Sequence, residues 1–441
     1  MRREGRSGPA LTFYGDDFTG STDALEALAS NGVASVLFLE MPDAARLKEF
    51  SHVAAIGVAG ESRSRSPEWM SAHLPGIFKK LRALKAPICQ YKVCSTFDSG
   101  PRTGSIGRAL EIGKEVFGAG FVPIVPAAPQ LKRFVIFSHL FAGDQEGIYR
   151  IDRHPAMSRH PVTPMTESDL RLHLAKQTSA ELKSLDMLAL TSLDADFHLD
   201  AVLEQRPAGV IFDGANRETM RRAAEMIWKR RAEACFVVGS SGFTHGLATH
   251  WRTSGLLKMT DDFSNPGAAD RLIVMAGSLS GATERQIQWA TANGFESIPI
   301  NASTLSDRGR AEVARAALFK TALRHLEAGK STVLYCTRGP DKENAPVDRN
   351  LLGIQMGKLL HELLTASGVK RAIIAGGDTA SHAGRELGAY ALTMLAPMAP
   401  GAPLCRAHMS NGNSRPLELV FKGGQIGPTD FFGTVRAGKC G

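Results

Sequence analysis

No run of about 18 consecutive apolar residues occurs in the chain, so no ordinary membrane-spanning helix is expected. Cysteine is scarce. The six at Cys89, Cys94, Cys235, Cys336, Cys405 and Cys440 form no C-x-x-C pair, which argues against a zinc site or a disulfide framework. No G-x-x-x-x-G-K-[ST] appears, which excludes a P-loop nucleotidase, and the protein-kinase signature set is missing too. A G-x-G-x-x-G fingerprint followed by a later acidic residue is also lacking, which weighs against a nicotinamide dehydrogenase. Aromatic residues make up only 7% and do not interleave with basic ones, so a nucleic-acid partner is not expected. The charge is mildly one-sided, 52 Lys and Arg against 44 Asp and Glu, a net +8 that suits an anionic small molecule. Its densest clusters, Arg221–Arg222 and Lys229–Arg231, fall on helix-like segments and read as solvated faces. The opening "MRREGRSGPA" is basic but lacks the apolar core and cleavage site of a signal peptide, so the chain is expected to be cytoplasmic and to have no membrane partner.

What is present is a repeating alternation of short apolar runs and longer amphipathic ones. Strands are expected at 10–14, 34–39, 52–58, 88–93, 121–125, 186–190, 209–213 and 235–238. Helices are expected between them at 21–31, 68–84, 104–116, 166–176, 197–205 and 217–232. After "TSGLLKMTDDFSNPGAAD" the alternation restarts, with strands at 271–275, 332–336, 371–375 and 417–421 and helices at 281–293, 350–366 and 380–389. Such alternation means parallel strands joined by crossover helices. The expected organisation is α/β with two doubly wound domains, residues 1–252 and 271–441, joined by a linker at 253–270. Its active site is expected in the cleft between them.

The stretch "FYGDDFTGST" raises the first chemical question. A buried strand ends on two adjacent carboxylates, Asp16 and Asp17, where a helix begins. In a parallel sheet that position is the carboxyl edge, where ligands bind. Neighbouring carboxylates repel unless a cation, a hydroxyl donor or helix amides engage them. The plainer reading is that one Asp caps the helix and the other is solvated. "GESRSRSP" places Arg63 and Arg65 after another strand, and the fork of Arg63 suits a carboxylate. "YKVCSTFDSG" sets Lys92, Cys94, Ser95, Thr96, Asp98 and Ser99 at a third strand end. Cys94 reads as a packed thiol or as a nucleophile with no particular histidine implied as its base. His154 and His160, six apart in a Pro-rich loop, could pair on a metal, but no further ligand spacing joins them.

In the second half, strands run repeatedly into small residues and then a helix. "VMAGSLSGATERQ" supplies Gly277, Ser278 and Ser280. "IIAGGDTASHAG" supplies Gly376, Gly377, Asp378 and Thr379, with a helix expected from about Ala380. "LVFKGGQIGPTDFF" supplies Lys422, Gly423, Gly424 and Gly427. Glycine admits close approach of a phosphate and free helix amides attract anions, although any one such loop also serves as a plain turn. Together they point to a nucleotide or polyphosphate site.

These motifs, taken in order, resemble the four-carbon acid sugar kinase family, formerly a family of unknown function. "DDFTGSTDA" is similar to its N-terminal signature. "AGSLSGATERQI", "AGGDTA" and "FKGGQIGPTDFF" are similar to its nucleotide-domain signatures, and "RHPVTPMTESDL" and "GSSGFTHGLA" to landmarks between them. The run Lys92 to Ser99 looks like the 3-oxo-tetronate kinase branch, which tends to continue G-N-I-G-P where this chain has Gly104-Ser105-Ile106-Gly107-Arg108. Asp378 stands where Glu is common, and Gly423-Gly424-Gln425 where Ser-Gly-Asn is common. The resemblance implies an N-terminal acid-sugar domain and a C-terminal ATP domain.

It also implies an ATP-dependent kinase acting on the terminal hydroxyl of a 3-oxo-tetronate, threonate or erythronate. Asp17 would be the base or hydroxyl-orienting group and Asp16 its supporting ligand, two roles that could be exchanged. Arg63, Lys92, Cys94 and Ser95 would hold the substrate. Ser278, Gly376, Gly377, Asp378, Thr379 and Gly424 would surround ATP, with Mg²⁺ bridging its phosphates and its protein ligands unassigned. The partner is an anionic small molecule, and a homodimer is compatible with this reading. The rival is a non-catalytic two-lobed small-molecule binding protein.

Overall fold

The computed structural model describes residues 8–144, 146–160, 162–257, 263, 265–278, 280–337, 347–410 and 416–440. Inside that range the side chain of Asp378 lies outside the described residues, as do parts of the 253–270 segment and of the N-terminal tail. By contact the chain divides into two units, Met1–Val36 with Met41–Asp261 and Leu37–Glu40 with Asp262–Gly441. Among the described residues no helix is long and apolar enough to cross a membrane.

In chain order the strands preceding Asp262 are β1 (Leu11–Gly15), β2 (Ser35–Phe38), β3 (Ala55–Val58), β4 (Ile88–Lys92), β5 (Val122–Val125), β6 (Arg133–Ile136), β7 (His139–Gly143), β8 (Ile148–Arg150), β9 (Leu182–Leu185), β10 (Gly209–Phe212) and β11 (Phe236–Gly239). The first unit orders its main sheet β3-β1-β4-β11-β5-β10-β9, parallel throughout. Helices such as Phe18–Ala29, Pro67–Ala83 and Ile106–Phe117 cross between strands. β1 is buried along its whole length, which is why "LTFYG" is a continuous apolar run and not an alternating one. β6, β7 and β8 form a separate antiparallel sheet.

The second unit contains β12 (Ile273–Ala276), β13 (Phe295–Asn301), β14 (Ser331–Thr337), β15 (Arg371–Ala375), β16 (Ala389–Pro397), β17 (Pro403–Met409) and β18 (Leu417–Lys422). Its order β13-β14-β12-β15-β18 is parallel, and β17 and β16 then extend it antiparallel. A core of Leu272, Val274, Ile373, Leu404, Val420, Phe431 and Phe432 holds the C-terminal helix Phe431–Ala437 to this sheet.

Each sheet has a topological switch point. β1 lies between β3 and β4, so the chain winds one way through β2 and β3 and the other way from β4 onward. β12 likewise lies between β14 and β15. Adjacent crossover loops diverge there and leave a crevice at the carboxyl ends of the strands, where α/β sheets take their ligands. Asp16 and Asp17 follow β1; Gly277 and Ser278 follow β12.

Two expectations are corrected. Residues 186–190 form a helix, Met187–Thr191, and not a strand; Asp186 caps it by accepting from the Ala189 amide at 2.9 Å. Only Leu190 of that helix is buried, so its apolar run was no evidence for a core strand. The helix after β15 starts at Gly377, three residues before Ala380.

Candidate active site

At the switch point of the first unit, Gly15 closes β1 in register with Lys92, the last residue of β4. Asp17 is the N-cap of the helix Phe18–Ala29. Its Oδ1 accepts from the Gly20 amide at 2.5 Å and its Oδ2 from Thr19 Oγ1 at 3.1 Å. The plainer reading of one Asp therefore holds, since Asp17 does cap the helix. It is also gripped from the other side, because Arg63 Nη1 donates to its Oδ2 at 3.0 Å.

Arg63 does more than meet Asp17. Its Nη2 donates to both oxygens of Asp98 at 2.7 Å. Thr96 Oγ1 lies 2.5 Å from Asp98 Oδ1 and 3.0 Å from Cys94 Sγ, and Thr163 Oγ1 donates to Asp98 Oδ2 at 3.2 Å. Burial works against the Arg63 charge, yet Asp98, Cys94, Asp17 and Asp16 together hold its pKa above the ordinary value. Burial likewise opposes the Asp98 anion, but Arg63 and Thr96 hold its pKa below the usual carboxylate range. Lys92, 1% exposed, pairs its Nζ with Asp23 Oδ2 at 3.0 Å. Arg63 and Lys92, expected to hold a substrate, are thus each engaged by a carboxylate of the protein itself. Ser95 is buried next to Cys94.

Asp16 is the exception in this ring of pairs. It is 4% exposed, and its Oδ1 is buried without a hydrogen-bond partner. Burial, and next the charge of Asp17, push its carboxyl up to about 7 against the pull of Arg63 and Lys92. A side-chain carbon on Gly20 would stand 2.5 Å from Asp17 Oδ1, 3.3 Å from Lys92 Nζ and 3.6 Å from Asp16 Oδ1. Gly20 therefore leaves open the space on which both carboxylates and the lysine converge. Sequence reading gave Gly20, Asp23 and Thr163 no role and noted Asp98 only within a polar run at a strand end; the signals were the repeated hydroxyl and acid residues of "DDFTGSTDA" and "STFDS" and, for Thr163, the stretch "RHPVTPMTESDL".

The raised Asp16 pKa has a consequence for stability. The native state holds the proton more tightly than the unfolded chain, so stability is full below the unfolded value near 3.8 and falls as pH rises toward about 7. Asp16→Asn removes that dependence. Its melting temperature relative to wild type is expected to climb between pH 4.5 and pH 7 and to level off above, with a gain of at least ~1 kcal/mol at pH 8, since one pKa unit is worth about 1.4 kcal/mol. A difference that is flat with pH would mean that Asp16 is ordinarily ionised.

The second unit gathers three loops at its own switch point. The registers Ala276↔Ala375 and Ala375↔Lys422 bring the ends of β12, β15 and β18 level. The glycines in these loops are where other loops approach. A side-chain carbon on Gly277 would lie 1.9 Å from Thr379 Oγ1, and one on Gly424 would lie 2.2 Å from Ser278 Oγ and 3.2 Å from Ser280 Oγ. Gly376 has φ +119°, a conformation that side chains rarely adopt, and a carbon there would come within 3.1 Å of the Ser278 amide. Gly377 is instead the first helical residue. Ser280 caps the helix Gly281–Ala292 and donates through Oγ to the Gly424 carbonyl, which Thr283 Oγ1 also reaches at 2.8 Å. Ser278, Gly376, Gly377, Thr379 and Gly424 thus meet at one edge, with Asp378 on the helix that Gly377 begins.

Lys422 lies at the same edge. It is 0% exposed, its Nζ donates to Thr283 Oγ1 at 3.2 Å, and burial pushes its ammonium down to about 7. An amine kept dry among glycine loops and hydroxyls has the chemistry of a phosphate contact. No group of three or more His, Cys, Asp or Glu that could hold a metal exists among the described residues. In the two-histidine loop, His160 Nδ1 meets Thr163 at 3.1 Å and His154 Nδ1 accepts from Ala156 and Met157 amides at 3.2 and 3.3 Å.

Residues 11–247 match the model of a sugar-binding N-terminal domain, and residues 273–432 match that of a nucleotide-binding C-terminal domain. The chain is 41% identical to the 3-oxo-isoapionate kinase of Paraburkholderia graminis, over 98% of this chain and 95% of that one. It is 31% identical to the 3-oxo-tetronate kinase of Cupriavidus necator, over 96% of each. Among solved structures, one described as a putative tRNA synthase from Salmonella typhimurium matches with TM-score 0.78 at 22% identity, covering 97% of this chain and 98% of that chain. A Haemophilus influenzae protein matches with TM-score 0.70 at 23% identity, over 97% and 99%. At those identities the two structures speak for the fold alone.

Proposed function

The chain belongs to the family of sugar-acid kinases built from a sugar-binding N-terminal and a nucleotide-binding C-terminal domain, and we propose that it transfers the γ-phosphoryl group of ATP to the terminal hydroxyl of a 3-oxo acid sugar. The observation that carries the proposal is the carboxylate pair beyond β1. Asp17 is pinned by the Gly20 amide and by Arg63, while the neighbouring Asp16 keeps a buried oxygen unpartnered.

Bound ATP with its magnesium ion supplies the phosphoryl group and neutralises charge on it. The residues of this chain supply position and proton handling, the main contributions a protein makes to such a transfer. Asp17, held between the helix amide and the guanidinium, orients the attacking hydroxyl and accepts its proton. Asp16 accepts a hydrogen bond from the substrate at Oδ1 and supports Asp17 in that role. Arg63 sets the angle of Asp17 and keeps Asp98 ionised opposite it. In the second unit the Gly376, Gly424 and Ser278 cradle and the Lys422 amine take the phosphates, with Thr379 and Asp378 next to them.

A non-catalytic binding protein built on the same two units would consume no nucleotide. An ADP-release assay over threonates, erythronates, 3-oxo-tetronates and 3-oxo-isoapionate separates the two readings. ADP formation is expected to require both ATP and an acid sugar. Equal background with and without every acid of the panel would remove the kinase proposal.

A further inference from the structure

Arg63 and Lys92 are the two cations beside the carboxylate pair, and both are already taken: Arg63 by Asp17 and Asp98, Lys92 by Asp23. If the substrate is an acid sugar, its carboxylate needs donors whose own charge or hydrogen is still available. Of the buried donors without a partner in the first unit, the Arg133 and His154 nitrogens stand on its small antiparallel sheet and the turn that follows it.

Arg133 opens β6. Its Nη1 donates to the carbonyls of Leu131, Lys132 and Gly143 at 2.6, 3.2 and 2.9 Å, so it holds the hairpin but meets no carboxylate among the described residues. Its Nε is buried and has no partner. Among the described residues the guanidinium is in no ion pair, and its buried Nε–H meets no protein acceptor. His154 follows β8. It is 6% exposed, and its Nδ1 accepts from the Ala156 and Met157 amides at 3.2 and 3.3 Å. A ring whose Nδ1 accepts carries its hydrogen on Nε2 in the neutral form. Burial and the positive charge of Arg133 both lower the pKa of this ring, which keeps it neutral. Its Nε2 is thus a donor, and it too is buried without a partner. Leaving such buried N–H donors unmade is costly, and a cationic donor and a neutral one on the same small element together suit an anionic ligand.

The insertion that carries them is tied to the carboxylate site. Arg133 pairs in register with Ala142, and Ala142 with Tyr149, whose ring stands edge-on to His154 at 5.9 Å. The turn after His154 leads to Thr163, which donates to Asp98 at 3.2 Å. Arg133 also lies within electrostatic reach of Cys94, which Thr96 links to Asp98 and through it to Arg63 and Asp17. Asp144, whose charge acts on both, spends its Oδ1 on the Glu146 and Gly147 amides at 2.8 and 3.0 Å.

We propose that Arg133 Nε–H and His154 Nε2–H form the subsite that receives the carboxylate of the acid sugar. The inference rests on the kinase reading for the identity of the ligand, but it is tested by binding without nucleotide. A contact from the Arg133 cation and one from the neutral His154 ring, both charge-assisted by the carboxylate, fix the acid end of the molecule and leave the other end for the Asp17 pair. The subsite therefore measures the presence of the carboxylate.

The test uses two conservative variants of the full chain, with fold checked by thermal melt. His154→Asn keeps an acceptor for the two backbone amides and removes only the Nε2 donor. Arg133→Lys keeps a cation for the hairpin carbonyls and removes the Nε donor. Calorimetric titration is carried out with threonate, erythronate and 3-oxo-tetronates, and with the corresponding four-carbon polyols, which lack the carboxylate. Each variant is expected to bind the acids about 10–100-fold more weakly, the worth of one hydrogen bond to a charged group, while weak binding of the polyols and the binding of ATP stay unchanged. Variants that melt like wild type and keep its preference for acids over polyols would overturn the subsite. Wild type that shows no preference for acids would overturn it as well. Absence of ADP formation alone, with the acid preference intact, would instead count against the kinase reading.

Discussion

Asp17→Asn is expected to lower kcat by about 10²–10⁴-fold, the usual worth of a positioned base, with ATP affinity within a factor of about two of wild type. Asn keeps an oxygen for the Gly20 amide, so the helix cap survives and the protein folds. What it loses is the anion that takes the hydroxyl proton and one of the two carboxylates paired with Arg63. Because the nucleotide loops belong to the second unit, the effect should be confined to turnover and to acid-sugar binding. A variant that loses ATP affinity in parallel with activity would show that Asp17 does not serve the acceptor alone.

Lys422→Met is the second large effect. The amine is fully buried and meets only a hydroxyl among the described residues, so an apolar chain of similar length removes a cost and not a support. The variant should melt no lower than wild type at pH 7 and bind ATP at least about 10-fold more weakly, since a charge-assisted bond contributes roughly 1.5–3 kcal/mol. The sign of the pKa displacement supplies an independent readout. Burial holds the free amine near 7, so at pH 8 it is mostly neutral, and an arriving phosphate restores the ammonium. Wild-type ATP binding at pH 8 should therefore take up a proton, seen as different apparent enthalpies in buffers of different ionisation heat. Lys422→Met should abolish that difference. Unchanged ATP affinity in a stable variant would remove Lys422 from the phosphate site.

The parts of this structure legible in sequence were those carried by local pattern. "LTFYGDD" announces a buried strand meeting a helix cap because both features lie within seven residues, and "IIAGG" before a helix works in the same way. The missed features depend on distant partners. Arg63 meets Asp98 and Lys92 meets Asp23 only after the sheet forms, so a fork that reads as open to a substrate turns out to be shared. The β6–β7 turn is invisible for a related reason. Phe137 and Ser138 both adopt positive φ without a glycine, and the Asp213 carboxylate at the end of β10 holds them through their amides at 2.5 and 3.0 Å. That insertion carries Arg133 and His154, whose pairing no spacing in the sequence could suggest. β16 and β17 escaped although the Pro400-Gly401 turn between them is a clear signal, because they add antiparallel strands to a pattern that was otherwise parallel.

The central claim is that a phosphoryl group moves from ATP to a hydroxyl of an acid sugar positioned by Asp17. The direct measurement is phosphorus NMR of the reaction mixture, with ATP, magnesium and each acid of the panel in turn, run beside Asp17→Asn. The account predicts one new phosphomonoester resonance, coupled to the protons of a terminal CH₂ group, growing in step with ADP and absent in the variant. ADP appearing together with inorganic phosphate and no ester, or an ester formed equally by Asp17→Asn, would contradict it.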